Sequence, residues 1–261
     1  MNRLDDLLAG PRQRLLNVYF TAGYPQLDST MEIIQALDAA GVDLVEIGLP
    51  YSDPLADGPI IQQSSEAALR QGMTIDHMFS QIGQARQLTD MPFIVMGYFN
   101  PVLQYGEEKF FAACWTHGVD ALIIPDLPLH EYAETYAPLV EKYNLRLCFL
   151  ITPQTPEERI RYIDTLTTGF IYVVSSSSIT GVKDGLQEGQ VDYFQRIRSM
   201  NLQHPQFIGF GISNRQTFDT ACDYARGAIV GSAYIRHLGA HAGEGIASAT
   251  TAFIQTIKPH I

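Results

Sequence analysis

The chain has 261 residues, 46% of them hydrophobic, and a formal net charge of −11. That length, with no low-complexity linker inside it, leads us to expect a single domain over 1–261. The acid excess without any Lys/Arg cluster excludes nucleic acid as a partner, and the absence of an apolar run near ~20 residues excludes a membrane span; with charges in MNRLDDLLAG where a signal peptide is apolar, we expect a cytoplasmic protein.

Taken in order, apolar strand-like runs alternate with segments of helical period, the pattern of repeated βα units on a parallel sheet. A short helix at 3–8 precedes a first strand at 16–20, then the turn TAGYP and a helix at 27–40 ended by Gly41. The second strand, 43–48, runs into the polar, proline-rich loop 49–59, and a helix is expected at about 75–88. The third strand (93–97) leads through the loop YFNPVLQYG to a helix at 107–117; the fourth (121–124) ends in PDLP before a helix at about 130–143. The fifth (146–151) ends in TPQTP before a helix at 157–166, and the sixth (170–174) opens the Ser/Gly-rich loop SSSSITGVKDG before a helix at 191–200. Strands at 207–209 and 228–230 with helices at 215–224 and 245–257 complete eight units. Eight units in a length near the ~250 residues usual for the fold predict an α/β, single-domain (β/α)8 TIM barrel with a short N-terminal helix and extra helices near the last units. The even spacing and the lack of an early GxGxxG disfavour an open doubly wound sheet.

The densest local information lies at 43–59, DLVEIGLPYSDPLADGP. Alternation along the strand puts Leu44, Glu46 and Gly48 on one face and Val45 and Ile47 on the other. A parallel strand is buried on both sides, so a carboxylate at Glu46 needs a reason. One reading is a core acid satisfied by an Arg or by backbone amides, with Asp53 and Asp57 as turn formers. The other is a pair of carboxylates, Glu46 on a rigid strand end and Asp57 on a loop, held in different protonation states by unlike surroundings.

GFGIS at 209–213 and VGS at 230–232 follow the seventh and eighth strands, the standard place for a phosphate in a barrel. Small residues there let backbone N–H groups approach an anion, and Ser213 and Ser232 are placed to open short helices with favourable N-termini; the same glycines could instead serve tight turns. The histidines form no HxH or HExxH pattern, so no metal is expected. Cys114, Cys148 and Cys222, widely spaced in apolar stretches, read as reduced core residues. Of the lysines only Lys183 falls on the catalytic side, on a loop, which leaves no candidate for a Schiff-base lysine and favours proton transfer by carboxylates.

Several segments together closely resemble the alpha subunit of tryptophan synthase: TAGYP at 21–25, EIGLPYSDPLADGP at 46–59, YFNPVLQYG at 98–106, GVDALIIPDLP at 118–128, GFGIS at 209–213 and IVGSA at 229–233. They span the chain from first strand to last, and SDPLADGP is highly specific. The resemblance implies a lyase that cleaves indole-3-glycerol phosphate to indole and glyceraldehyde 3-phosphate. It places the catalytic carboxylates on Glu46 and Asp57, a substrate-binding tyrosine on Tyr172, a loop threonine on Thr180, and phosphate ligands on Gly181, Gly211, Gly231 and Ser232. It further implies no cofactor in this chain and a partner beta subunit that carries pyridoxal phosphate, in an alpha2beta2 heterotetramer. The chain departs from the family's usual pattern at Ser175 to Ser178 ahead of the Thr-Gly pair, and at Tyr51 where Phe is usual. Two other readings stay open on the residues alone: another phosphate-binding barrel, such as a sugar-phosphate isomerase or decarboxylase, and a catalytically idle chain that only activates a partner.

Overall fold

The computed structural model describes residues 2–175, 188–209 and 211–258. Nine parallel strands form one sheet: β1 (Leu15–Thr21), β2 (Leu44–Gly48), β3 (Phe93–Met96), β4 (Ala121–Ile123), β5 (Arg146–Leu147), β6 (Phe149–Ile151), β7 (Ile171–Val174), β8 (Gln206–Gly209) and β9 (Gly227–Val230). Their order, β5-β4-β3-β2-β1-β9-β8-β7-β6, begins and ends on two strands separated in sequence only by Cys148. The expected fifth strand is therefore interrupted: its first half pairs with β4 and its second half with β7, which closes the sheet on itself as a (β/α)8 barrel.

Each strand is buried on both faces, and the two faces feed two cores. Leu16, Val18, Val45, Ile47, Val95, Leu122, Val173, Ile208 and Val230 pack outward against the helices. Leu15, Leu44, Ile94, Ala121, Ile123, Cys148, Phe170, Tyr172, Phe207 and Ile229 fill the barrel, joined from below by Leu4 of the helix Arg3–Ala9. That helix closes the N-terminal end: Asn2 caps it by accepting from Leu4 N–H, while its Nδ2 donates to the carbonyls of Asp120 (2.9 Å) and Asn144 (2.8 Å).

Three helical features differ from the sequence expectation. A helix at Pro59–Arg70 follows the proline-rich loop directly, with Pro59 in its first turn, where a missing N–H costs nothing. YFNPVLQYG is not a plain loop but holds the helix Phe99–Tyr105. The helix after β4 runs as Leu129–Glu131, a π turn at Tyr132–Tyr136, and Ala137–Lys142. Pro138 cannot donate to a carbonyl one turn back, and the wider i→i+5 turn ahead of it absorbs the mismatch. Near the last units an extra helix is present at Ser232–Ala240. Among the cysteines, Cys114 and Cys148 are buried and Cys222 is only partly so; all three are free thiols. No helix among the described residues is long and apolar enough to cross a membrane.

Candidate active site

Glu46 sits in the middle of β2, in register with Tyr19 on β1 and Ile94 on β3, and its side chain points into the barrel with 0% exposure. The period of the strand dictates this: Leu44 on the same face belongs to the interior core, whereas Val45 and Ile47 belong to the outer one. Asn17 Nδ2, on β1, donates to Glu46 Oε1 at 2.6 Å. The other oxygen, Oε2, is buried and has no hydrogen-bond partner among the described residues. Burial pushes the Glu46 carboxyl up to about 8, against the Asn17 hydrogen bond, which favours the charged form. A carboxyl titrating there holds its proton at neutral pH and can both give and take it.

Two tyrosines line the mouthward side of this carboxyl. Tyr19 and Tyr172 are nearly buried, and their hydroxyls lie against Gly48 and Gly209: a Cβ on either glycine would stand 2.2 Å from the tyrosine oxygen. Only glycine leaves room for those rings at the strand ends. Burial raises both phenols above their ordinary range, and Glu46 and Asp57 add to the effect on each, so both stay neutral hydroxyls.

Asp57 lies on the loop between β2 and the helix Pro59–Arg70, and the loop is tied down at several points. Tyr98, the residue before the helix Phe99–Tyr105, donates from its Oη to Asp57 Oδ2 (3.3 Å) and accepts there from Ala56 N–H (2.9 Å). Gln62 Nε2 donates to the Asp57 carbonyl (2.9 Å), Asp57 N–H donates to the Pro54 carbonyl (3.0 Å), and the rings of Tyr51 and Tyr98 stand 5.3 Å apart. Asp57 is half-buried; desolvation moves its carboxyl up to about 6, with the Tyr98 hydrogen bond pulling the other way. The two carboxyls thus titrate on opposite sides of neutrality, Asp57 ionised and Glu46 protonated at pH 7.

Gly211 and Gly231 stand at the mouth beyond β8 and β9. Gly211 has a φ of +78°, a left-handed conformation that favours glycine, and a Cβ there would meet nothing. Gly231 precedes the helix that starts at Ser232; its carbonyl accepts from Tyr234 N–H (2.9 Å) and Ile235 N–H (3.1 Å), and the amides of Ser232 and Ala233 are left at the open end of the helix. Because β9 pairs with β1, Gly231 also abuts the Tyr19 side chain. Ser213 does not open a helix; Asn214 caps the following one, Arg215–Tyr224, in a capping box with Thr217. Thr180, Gly181, Lys183 and the serines at 176–178 lie outside the described residues.

The structure therefore brings Glu46 and Tyr172 together inside the barrel and sets Asp57 within electrostatic reach of Tyr172 and Tyr19. Sequence reasoning missed Asn17, Tyr19 and Tyr98 as members of this group. Asn17 carried a signal, an amide on the inward phase of an otherwise apolar strand; Tyr98 carried none until the fold placed it beside residue 57. No cluster of potential metal ligands occurs among the described residues.

A closed parallel barrel with one desolvated carboxyl inside its second strand and another on the loop after that strand is a layout suited to a (β/α)8 enzyme working by acid/base chemistry. The sequence pattern of the tryptophan synthase alpha chain matches residues 7–259. Tryptophan synthase alpha chains of Flavobacterium johnsoniae (55% identical, 91% of this chain and 94% of that one) and Christiangramia forsetii (49% identical, 99% of each) are similar throughout. Among solved structures, the alpha subunit from Legionella pneumophila superposes with a TM-score of 0.89 at 29% identity, covering 99% of this chain and 98% of that one. A chain of the tryptophan synthase complex from Pyrococcus furiosus gives 0.86 at 30%, covering 95% and 99%. The chain belongs to the tryptophan synthase alpha chain family. It is a lyase of tryptophan biosynthesis that cleaves indole-3-glycerol phosphate to indole and glyceraldehyde 3-phosphate.

Proposed function

We propose that Glu46 and Asp57 carry out this cleavage, Glu46 as the proton shuttle and Asp57 as the fixed negative charge. Protonated Glu46 gives its proton to indole C3, leaving positive charge on the ring nitrogen, which ionised Asp57 stabilises through a hydrogen bond. The carboxylate so formed then takes the proton from the hydroxyl on the carbon attached to C3. The O–H electron pair becomes the aldehyde C=O, the C–C pair returns to the ring, and Glu46 ends protonated as it began. The observation that carries this reading is the unequal upward shift of the two buried carboxyls, to about 8 for Glu46 and about 6 for Asp57, which puts them on opposite sides of neutrality.

In this reading Tyr172 borders the indole, Thr180 binds substrate from the segment after β7, and the phosphate binds at Gly181, Gly211, Gly231 and Ser232. The open amides before the Ser232–Ala240 helix and the small residues at both turns favour an anion there. The chain takes no cofactor of its own, since both proton transfers fall to Glu46; pyridoxal phosphate belongs to a beta subunit with which it assembles as an alpha2beta2 heterotetramer. Leu55, 88% exposed on the Asp57 loop, and Leu103, 43% exposed on the helix beyond Tyr98, fit a face that a partner covers. The test is turnover of indole-3-glycerol phosphate by Glu46→Gln, whose amide fills the same space but cannot exchange the proton. Loss of nearly all indole release is expected, and parent-like turnover removes Glu46 from the mechanism.

A further inference from the structure

The side chain that donates to Glu46 is an uncharged amide, Asn17, itself 0% exposed and reaching it from the neighbouring strand. In the strand register Asn17 is opposite Leu44 and Ile229, two apolar residues of the barrel interior, one layer deeper than Glu46. An amide in such surroundings is costly unless both of its ends are used. Its Nδ2 reaches Glu46 Oε1, while its own Oδ1 and Glu46 Oε2 are both buried without a partner among the described residues. Asn is the side chain whose donor and acceptor ends exchange places by a half-turn of the amide. A group that alternates between carboxylic acid and carboxylate requires that exchange.

We propose that Asn17 is a positioning residue for Glu46 that serves both of its protonation states, donating from Nδ2 to the carboxylate and, with the amide turned over, accepting at Oδ1 from the carboxylic acid. This rests on the acid/base reading of Glu46 and adds the group that eases its alternation in a buried site. When Glu46 gives up its proton, the carboxylate appears at a fully buried position that no charged side chain bridges among the described residues; the Nδ2 donor is then the main local compensation. The groups facing Glu46 from the other strands are Tyr19 on β1, Tyr172 on β7 and the Cys148 thiol between β5 and β6. Burial raises all three above their ordinary ranges, so none ionises where Glu46 does. Ile94 on β3 offers no polar atom. The bond to the carboxylate is the stronger of the two, so Asn17 favours the charged state over the acid and lowers the barrier without strengthening substrate binding.

The test uses the full chain with Asn17→Leu, which keeps the volume and removes both functions, and Asn17→Asp, which keeps the shape but replaces the donor with an acceptor. Circular dichroism and thermal melting establish that each is folded. The Glu46 carboxyl is titrated by its infrared C=O band, assigned by subtraction of Glu46→Gln, and kcat and KM for indole-3-glycerol phosphate are measured from pH 5.5 to 9. In Asn17→Leu the Glu46 titration should rise by about one pH unit or more, since a hydrogen bond to the charged form is lost. In Asn17→Asp it should rise further, because two carboxyls then compete for one proton. For both, kcat at pH 7 should fall about tenfold with KM within twofold. A Glu46 titration unmoved in a folded variant overturns the proposal, even if kcat falls, because a merely structural amide would give that result. If the Leu variant does not fold, the Asp variant decides alone. Turnover surviving in Glu46→Gln would instead remove the acid/base reading itself, and this inference with it; an inactive Glu46→Gln with unmoved Asn17 variants sinks this inference only.

Discussion

Tyr98→Phe tests the charge on Asp57 through the pH dependence of turnover. The substitution removes one oxygen that donates to Asp57 Oδ2 at 3.3 Å and accepts from Ala56 N–H at 2.9 Å, while leaving the ring beside Tyr51. A hydrogen bond to a carboxylate is worth about 1.5–3 kcal/mol when short; at this length, on a half-buried group, about 1 kcal/mol is the appropriate size. Its loss moves the Asp57 titration up by about 0.7 pH unit from its starting point of about 6. The sign follows from the charge: the bond favours the carboxylate, so removing it favours the acid and depletes the active, ionised form on the acid side. The ionised fraction at pH 6.5 drops from about three-quarters to about two-fifths, while at pH 7.5 it barely changes. The assay is kcat for indole release at saturating substrate across pH 5.5–8. The parent should show a bell bounded near 6 and 8, and the variant an acid limb displaced upward, with about twofold less activity at pH 6.5 relative to pH 7.5. Freeing Ala56 N–H loosens the loop and lowers kcat at every pH, so the ratio of the two rates carries the inference. The second ionisation of a phosphate ester also falls near pH 6, but it belongs to the substrate and cannot move with residue 98. An acid limb that stays in place in the variant would refute the assignment of that limb to Asp57.

Glu46→Gln should gain stability as it loses turnover. Between the ordinary 4.5 and about 8 the folded chain keeps the Glu46 proton and the unfolded chain releases it, so stability falls as pH rises through that window. The variant's advantage in urea unfolding should therefore grow by about 3 kcal/mol from pH 5 to pH 8; a constant difference would mean that Glu46 titrates normally. Gly231→Val should raise KM for indole-3-glycerol phosphate at least tenfold and leave binding of free indole unchanged, because a Cβ there fits against Tyr19 at 3.5 Å while its branches crowd the open amides; equal weakening of both ligands would move the phosphate elsewhere. Adding a beta subunit should raise turnover by about an order of magnitude, the effect of ~1.4 kcal/mol of ordering in the Asp57 loop and the segment from Asn100 to Gln104. Equal rates at saturating partner, with complex formation established separately, would mean that Tyr98, Gln62 and Pro59 already hold the loop.

The barrel was legible in the chain because its signals are local. Apolar runs of strand length, polar turns after each, and helical periods between them depend on neighbours a few residues apart, and strand alternation alone put Glu46 on the inward face with Leu44 and Gly48. The proline-rich loop likewise announced itself beside the strand that carries Glu46. Where local signals were mixed, reading failed. Pro59–Arg70 is amphipathic but mostly polar and starts on the loop's own proline, and Phe99–Tyr105 contains a proline in its first turns.

Other features have no local signal at all. The break at Cys148 exists because the two halves of one apolar run must pair with different neighbours to close the ring. The residues that set the chemistry of the two carboxyls come from other units: Asn17 is 29 positions from Glu46, and Tyr98 is 41 from Asp57. The sequence by itself determined which side chains face the barrel and which loop carries the second acid, since period and turn chemistry act over a few residues. Only the tertiary structure decided how far each carboxyl is taken out of water and which single donor meets it, because desolvation and hydrogen bonding depend on atoms that closure of the sheet brings together.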